Sequence, residues 1–507
     1  MTKKTWILFG FIVLKFILQY SLIDSSYDLQ RDEYLHLDLG HHMAWGYQSV
    51  PPVTAWISYF IYLLGNSVFW VKFFPAFFGA LTIVVVWKTI EELKGNLYAL
   101  VLGATCILFS ALLRLNTLYQ PNSLDVLCWT ALYFIMIKYF NSEKSKWIYI
   151  AAIVFAFGFL NKYNIIFLIA GLVPAILLTG QRKLFLKKEL YYAILLAFVL
   201  ILPNLLWQYN NNFPVVHHMK VLAKTQLVNV SRFNFLKSQL EFFFGSLLVI
   251  IPGLFALAFY SPFKKYRAFF WSLFFTLIIF MYFRAKDYYA IGLYPVYIAF
   301  GAVYLSKVLD KDWKKYLKPI LVAIPVLSFI PMYLFAFPNR TPEYMVAHSS
   351  TYQKLGQLRW EDGKNHLIPQ DYADMVGWKE LANKVDSLYG PLSDSGHTLV
   401  LCDNYGQAGA INYYTEKGIK AVSFSADYIN WFELGRKYDN LIRIKDNQEN
   451  DNELQKTGPF FQHSVLADSI TNKYARELGT KIFVFTGAMI DINPILKSEI
   501  KKNKNDD

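Results

Sequence analysis

A pair of adjacent carboxylates, Asp32 and Glu33, follows the first long apolar stretch of the chain and stands between Arg31 and Tyr34. Ionisable side chains beside a membrane helix are costly unless they pair or take part in function. An ionised carboxylate can remove the proton of a reacting hydroxyl, and Asp32 is our candidate for such a general base. Arg31 could hold that carboxylate in its charged form or bind a phosphate. The alternative, an ordinary solvated loop, fits these residues equally well.

Five histidines are the side chains best suited to a metal ion, and they occupy two polar segments: His36, His41 and His42 in the first, and His217 and His218 in the second. None of these spacings is a strong zinc-ligand pattern. The second pair could meet carboxylates of the first segment and hold a divalent ion, or its segment could be an interfacial loop anchored by Trp207 and Phe213. No cofactor is therefore certain, a divalent metal ion stays open, and the identity of any metal ligands is unknown.

The composition is that of a membrane protein. The 507 residues are 55% hydrophobic and 17% charged, whereas soluble domains carry about 25% charged residues. The formal net charge is +13, but the basic residues lie in short clusters between apolar runs. This pattern fits membrane topology better than a nucleic-acid-binding face, so we expect membrane lipids and no nucleic acid among the partners.

Apolar runs long enough to cross a bilayer, roughly 20 residues each, recur through the first two-thirds of the chain. They predict about eleven transmembrane helices, at 5–23, 67–90, 97–118, 123–140, 147–160, 164–180, 190–207, 240–260, 268–283, 288–306 and 317–337. One set of connecting loops is rich in Lys and Arg and is predicted to be cytoplasmic. The alternate loops, near 24–66, 207–239 and 284–287, then lie on the outer side together with the C-terminal part. Within the first of them, segment 33–45 is predicted to form a helix along the membrane interface.

The composition changes near residue 340. Beyond it the apolar runs have the length of strands, at 398–402, 421–424 and 481–485, and helical patterns lie between them. Strands that alternate with helices predict a small α/β domain. We therefore expect a transmembrane domain at 1–340 and an extracytoplasmic α/β domain at 341–507, ending in a disordered charged tail at 501–507.

Several short elements follow one another along the chain: Asp32-Glu33 after the first membrane helix, then Gly46-Tyr47 and Pro51-Pro52 before Trp56, Pro121 with Asp125, Leu160-Asn161-Lys162-Tyr163, and Lys286-Asp287-Tyr288-Tyr289. No one of them is specific. Their order and predicted side of the membrane together resemble glycosyltransferase family 39, which includes relatives of protein O-mannosyltransferases and of the lipid A aminoarabinose transferase within the C-type glycosyltransferase superfamily. The resemblance covers nearly the whole chain. One departure is Val50, because the aminoarabinose transferase has a basic residue before the two prolines.

This resemblance implies a hexosyl- or pentosyltransferase of the inner membrane that uses a polyprenyl-phosphate-linked sugar as donor. The sugar would move, with inversion, to an unknown envelope lipid, glycan or protein acceptor on the outer side. In this hypothesis Asp32 is the base, and Glu33 holds the site or binds a metal or a sugar hydroxyl. The leaving phosphate would be neutralised by residues of the outer loops, with Arg284 and Lys286 as the first choice and Lys162 and Tyr288 beside them.

The remaining candidates for substrate binding are Arg31, Tyr34, Asp125, His217 and His218. A function from another class, a polytopic transporter or lipid flippase, is the alternative. Such proteins often show inverted repeats and charges near the middle of the membrane. The sequence has no visible repeat, and its candidate charges lie on one predicted side, which favours surface chemistry.

Overall fold

The computed structural model describes residues 2–225, 227–360, 362–392, 396–447 and 452–506. The chain forms two compact units, each built from three segments. The first unit consists of Met1–Leu22, Ala44–Thr54 and Leu64–Phe337, and the second consists of Ile23–Met43, Ala55–Leu63 and Pro338–Asp507. Two segments from the region predicted as the membrane domain therefore belong to the same unit as the C-terminal residues.

Helices account for most of the first unit and also occur throughout the second. In chain order they are α1 (Lys3–Ser21), α2 (Arg31–Leu39), α3 (Val53–Leu63), α4 (Val68–Glu92), α5 (Leu97–Leu108), α6 (Leu112–Leu115), α7 (Asn122–Ser142), α8 (Lys146–Asn161), α9 (Ile165–Leu177), α10 (Lys188–Asn210), α11 (Pro214–Thr225), α12 (Arg232–Glu241), α13 (Leu247–Phe259), α14 (Arg267–Tyr282), α15 (Tyr294–Val308), α16 (Leu317–Phe335), α17 (Pro342–Ala347), α18 (Ser349–Lys354), α19 (Gln370–Ala373), α20 (Trp378–Tyr389), α21 (Tyr405–Tyr414), α22 (Glu453–Thr457) and α23 (Asn493–Asp506). A 3₁₀ helix, Asp287–Leu293, leads directly into α15.

The membrane-spanning character predicted from the sequence is confirmed. Within the described ranges, six helices are long and apolar enough to cross a membrane, or eight if each of two bent helix pairs is one span. The bent pairs are Ile165–Leu177 with Gly180–Leu186, and Arg232–Glu241 with Phe244–Phe259. Each of the eleven predicted apolar runs contains at least one helix or most of one. The chain is thus a polytopic helical membrane protein.

One predicted span, 97–118, is wrong as a single helix. α5 ends at Leu108, where the backbone of Phe109 turns away from helical values with φ −97° and ψ 60°. Only the single turn α6 follows, and the guanidinium of its Arg114 donates to the hydroxyl of Thr117 at 2.9 Å. Polar side chains therefore interrupt the apolar run between α5 and α7.

Close packing at glycines fixes α15 inside the first unit. A Cβ added at Gly301 would lie 1.9 Å from the carbonyl oxygen of Val249, and one added at Gly253 would lie 2.5 Å from that of Tyr297. Small residues let the backbones of membrane helices approach in this way. The contact between α13 and α15 holds the 3₁₀ helix that precedes α15, and that helix carries part of the candidate site.

The second unit contains a five-stranded mixed sheet. The strands are β1 (Thr398–Cys402), β2 (Val422–Ser423), β3 (Asn440–Lys445), β4 (Phe461–Ser469) and β5 (Lys481–Ala488). Their order is β2-β1-β3-β5-β4, with β1 parallel to β2 and β3 and β5 antiparallel to β3 and β4. The predicted small α/β domain is confirmed, and so are its three predicted strands.

The predicted interfacial helix at 33–45 is wrong in both length and setting. α2 runs from Arg31 to Leu39, and seven of its nine residues are buried, because it packs within the second unit. A Cβ added at Gly409 of α21 would lie 2.7 Å from the Cβ of Tyr34, so glycine is what allows this contact. The predicted disorder at 501–507 is also wrong as far as Asp506, because α23 continues to that residue.

Candidate functional site

The candidate base Asp32 lies in the first turn of α2, inside the second unit. Its Oδ1 accepts a hydrogen bond of 2.7 Å from the hydroxyl of Tyr405, the first residue of α21. Asp32 is half-buried, so its carboxylate stands at an edge of the packed core. The structure therefore gives this carboxylate a fixed protein partner.

Glu33 organises the start of the same helix. Its Oε2 accepts the backbone N–H of Gln30 at 2.8 Å, and the side-chain oxygen of Gln30 accepts the backbone N–H of Asp32, also at 2.8 Å. This reciprocal arrangement is a capping box, which satisfies amide groups that the first helical turn leaves open. Glu33 itself is fully buried. A metal or sugar contact for Glu33 stays a prediction, whereas its capping bonds are part of the fold.

Arg31 is surrounded by groups that balance its charge. Its guanidinium carbon lies 4.6 Å from the centroid of the Tyr405 ring, a distance at which a cation is attracted to an aromatic face. Burial opposes the charge, but the facing Tyr405 and Asp374 raise the pKa of Arg31 above its usual value. The charge of Asp32 also raises the pKa of Arg31. The geometry favours Arg31 as a countercharge for neighbouring acids, and its predicted contact with substrate stays a prediction.

The far end of α2 is held by a second tyrosine–aspartate contact. Asp38 accepts hydrogen bonds from the hydroxyl of Tyr428 at 2.6 Å and from the side-chain amide of Asn412 at 2.8 Å. Burial raises the pKa of Asp38 to about 6. Tyr34, between the two ends, is completely buried and donates to the hydroxyl of Tyr414 at 3.2 Å. The predicted role of Tyr34 in substrate binding stays a prediction for a side chain that the fold uses in its core.

Behind Tyr405, one amide group joins two carboxyl groups. The side-chain nitrogen of Gln407 donates to Asp446 at 2.8 Å and to Glu477 at 2.6 Å. Burial, followed by the charge of Glu477, raises the pKa of Asp446 to about 7. Asp446 therefore changes its ionisation near neutral pH.

We expect the stability of the second unit to fall as pH rises from about 4 to about 7 because of Asp446. In that window the unfolded chain has released a proton that the folded chain still holds, so ionisation favours unfolding. An Asp446→Asn variant should lose this dependence, which thermal unfolding of detergent-solubilised protein at stepped pH values would measure. An unchanged pH slope in the variant would contradict the assignment.

In the first unit, Lys162 forms the centre of a second polar group, in the connection between α8 and α9. Its Nζ donates to the side-chain oxygen of Asn122 at 2.6 Å and lies 4.3 Å from the ring centroid of Tyr289 and 5.3 Å from that of Tyr288. Burial lowers the pKa of Lys162 to about 8, a value that also reflects the opposing charge of Asp125, which raises it, and the like charge of Lys286, which lowers it. An anion between two such cations would relieve their repulsion.

Asp125 ties three elements together beside this lysine. Its two carboxylate oxygens accept from the indole N–H of Trp129 at 3.0 Å and from the side-chain amide of Asn164 at 2.9 Å. The same amide donates to the backbone oxygen of Tyr289 at 2.9 Å. The structure thus brings the sequence elements 121–125, 160–163 and 286–289 together, and Asp125 acts within them as a buried organiser.

The other predicted residues lie apart from the Lys162 group or at the surface. Arg284 has a positive φ of 51° and donates to the backbone oxygen of Val228 at 2.8 Å. His217 and His218 are exposed on α11. Among residues that the structure describes, no group of three or more His, Cys, Asp or Glu side chains is arranged to hold a metal ion. The predicted roles of these three residues stay predictions.

Sequence reasoning overlooked Tyr405, Asn122 and Tyr289 as partners of the candidate residues. Asn122 and Tyr289 each lie one to three residues from a predicted site residue, so their elements were identified without them. Tyr405 stands 373 residues from Asp32. Its one local signal is its position directly after Asn404, the N-cap residue of α21, which follows β1.

Comparison with known proteins places this architecture in a class. The fold matches the crystal structure of ArnT from Cupriavidus metallidurans bound to undecaprenyl phosphate, with a TM-score of 0.64, 12% identity, and coverage of 95% of this chain and 98% of that one. The same protein in the apo state gives a TM-score of 0.63 at 14% identity, with the same coverage. The chain therefore shares the fold of ArnT.

Sequence comparison shows that part of the chain resembles a known protein family. Residues 49–207 match the family described as dolichyl-phosphate-mannose-protein mannosyltransferase. The lipid A galacturonosyltransferase RgtD of Rhizobium johnstonii is 23% identical over 227 residues, which are 44% of this chain and 46% of that protein. The match thus spans just under half the length of this curated relative. The resemblance to glycosyltransferase family 39 predicted from the sequence is confirmed.

Proposed function

We propose that this chain is a membrane glycosyltransferase that moves a sugar from a polyprenyl-phosphate-linked donor to an envelope lipid, glycan or protein. The observation that carries the proposal is the convergence of three separate sequence elements around Lys162, with Asn122 and Tyr289 in contact with its ammonium group. The relative ArnT, whose fold this chain shares, was crystallised with undecaprenyl phosphate. A partly buried lysine at the end of membrane helices is suited to the phosphate of such a lipid.

In the proposed reaction, Lys162 and Lys286 stabilise the leaving phosphate. The bond between the anomeric carbon and the phosphate oxygen breaks, and its electron pair stays on that oxygen. Lys162 meets the developing negative charge with an ammonium group that Asn122 orients. Lys286 contributes a second positive charge, since it already acts electrostatically on Lys162. Fixed charges aimed at an atom that becomes negative lower the barrier most effectively when water is excluded.

The proposed base is Asp32. Asp32 accepts the proton of the acceptor hydroxyl while the oxygen of that hydroxyl attacks the anomeric carbon on the face opposite the phosphate, so the configuration inverts. A positioned carboxylate of this kind contributes about 10²–10⁴-fold to the rate of a proton-coupled step. The mechanism uses Asp32 in its ionised form.

To test this function, purified protein in lipid vesicles is supplied with two labelled donors, undecaprenyl-phosphate mannose and undecaprenyl-phosphate galacturonic acid. We expect the label of at least one donor to move onto components of added envelope membranes. Movement of intact labelled lipid between leaflets, without transfer, would instead support the flippase alternative. Chelation followed by addition of single divalent metals in the same assay would decide whether a metal ion is required.

We also propose that the protein lies in the inner membrane with its second unit on the outer side. The three native cysteines are buried, so cysteines introduced at exposed positions can report topology. A membrane-impermeant maleimide applied to intact spheroplasts should label Lys417→Cys in the second unit and leave Lys264→Cys, in a basic loop of the first, unlabelled. Labelling in the reverse pattern would contradict this orientation.

A further inference from the structure

Two contacts of the same chemical kind fasten α2 to the rest of the second unit, one at each end of the helix. The hydroxyl of Tyr405 donates to Asp32 at 2.7 Å, and that of Tyr428 donates to Asp38 at 2.6 Å. A hydrogen bond from a neutral donor to a carboxylate is stronger than one between neutral groups. Both contacts therefore contribute to the position of α2.

The two aspartates differ in what else they can do. Asp38 is 8% exposed and also accepts from Asn412, so its carboxylate is used within the core. Asp32 is half-buried at the first turn, where a carboxylate can meet a substrate. The tyrosine–aspartate contact at Asp38 is therefore structural. The contact at Asp32 instead involves a carboxylate that can take part in the reaction.

We propose that Tyr405 is a positioning residue for the catalytic carboxylate: by donating to Asp32, it fixes the orientation in which Asp32 receives the acceptor proton. This inference rests on the proposed function. A carboxylate on a single bond rotates unless a partner holds it, and a base works only when it is within hydrogen-bond reach of the proton in the reacting geometry. The C-terminal α/β part of the chain thereby contributes directly to the reaction.

The surroundings of Tyr405 suit this task. Burial, with the charge of Asp32, raises the pKa of Tyr405, so the phenol keeps its proton and remains a donor through the neutral pH range. Arg31 lies over the face of its ring at 4.6 Å. The capping box of α21, in which Asn404 and Gln407 bond reciprocally, fixes the backbone that carries the ring. A donor held from three sides loses little orientation when substrate arrives.

The test compares Tyr405→Phe with Tyr428→Phe, which removes the matching hydroxyl at the other end of α2. Both variants should lose thermal stability. Only Tyr405→Phe should lower kcat for label transfer from the undecaprenyl-phosphate donor, by about ten- to hundredfold, with KM within about twofold of wild type. Equal kcat losses in the two variants would show that Tyr405 acts through stability alone and would overturn the proposal.

A double-mutant cycle separates positioning from general damage. In an Asp32→Asn background, Tyr405→Phe should cause almost no further loss, because the group it positions is absent. A full additional loss in that background would overturn the proposal. If Tyr405→Phe does not fold, Tyr405→His keeps a ring and an N–H donor, and we expect it to retain more turnover than a folded Tyr405→Leu; equal turnover would count against positioning.

Failure of this inference and failure of the proposed function have different signatures. A wild-type protein that transfers no label from either donor contradicts the function. An active wild type with an inactive Asp32→Asn variant and a fully active Tyr405→Phe variant leaves the function intact and refutes only the role of Tyr405.

Discussion

An Asp32→Asn variant is expected to transfer sugar about 10²–10⁴-fold more slowly than the wild type, because the amide cannot accept the proton of the acceptor hydroxyl. The substitution keeps the shape of the side chain and leaves an oxygen for the hydroxyl of Tyr405. Binding of the lipid donor should therefore survive. Single-turnover transfer of label, measured beside donor binding, separates the two quantities.

Asp38→Asn is the matched control for this prediction. It makes the same chemical change on the same helix, at a carboxylate that Tyr428 and Asn412 hold inside the core. We expect a change in stability with transfer close to that of the wild type. Wild-type turnover by Asp32→Asn, or equal losses in the two variants, would remove Asp32 from the role of base.

A Lys162→Ala variant is expected to show the second large effect, a fall in transfer of about 10²–10³-fold. The ammonium group is lost from a site where Asn122 and Tyr289 hold it, so negative charge developing on the leaving phosphate is no longer met. Lys162→Arg should recover only part of the rate, because a planar guanidinium does not fit contacts made by a compact ammonium.

Lys146→Ala provides the comparison, since Lys146 begins the same helix, α8, whose last residue precedes Lys162. Its Nζ lies 5.0 Å from the ring centroid of Trp147 and has no part in the proposed mechanism. Transfer by Lys146→Ala should match the wild type. If Lys162→Ala retains wild-type rates and wild-type dependence on donor concentration, the phosphate site must be sought elsewhere, with Arg284 as the next candidate.

The membrane-spanning part of the fold could be predicted because a bilayer requires long apolar runs, and such runs are visible in one dimension. The error at 97–118 arose where Ser110, Arg114 and Asn116 interrupt an apolar run, since a polar residue can be tolerated in a span or can end it. β3 was overlooked because Arg443 breaks its apolar pattern. β4 was overlooked because it is an edge strand whose side chains are mostly exposed.

The candidate site could be predicted only as separate elements. The sequence identified Asp32, Asp125 and Lys162 by residue type and by the elements that contain them. It could not show that Asn164 joins Asp125 to Tyr289, because that contact depends on packing between residues far apart in the chain. The burial of α2 could not be predicted for the same reason, since its partner α21 begins more than 360 residues later in the chain.

The three-segment construction of the second unit has a consequence for biosynthesis. Asp32 leaves the ribosome 373 residues before Tyr405, a delay of roughly 20 to 75 seconds at ordinary elongation rates. Throughout that interval the nascent chain contains the residues of α2 but lacks α21, the helix against which α2 packs. A product terminated before α21 would keep the segments of the first unit and lack the hydroxyl that orients the carboxylate. Incomplete chains should consequently transfer sugar more slowly than the full chain.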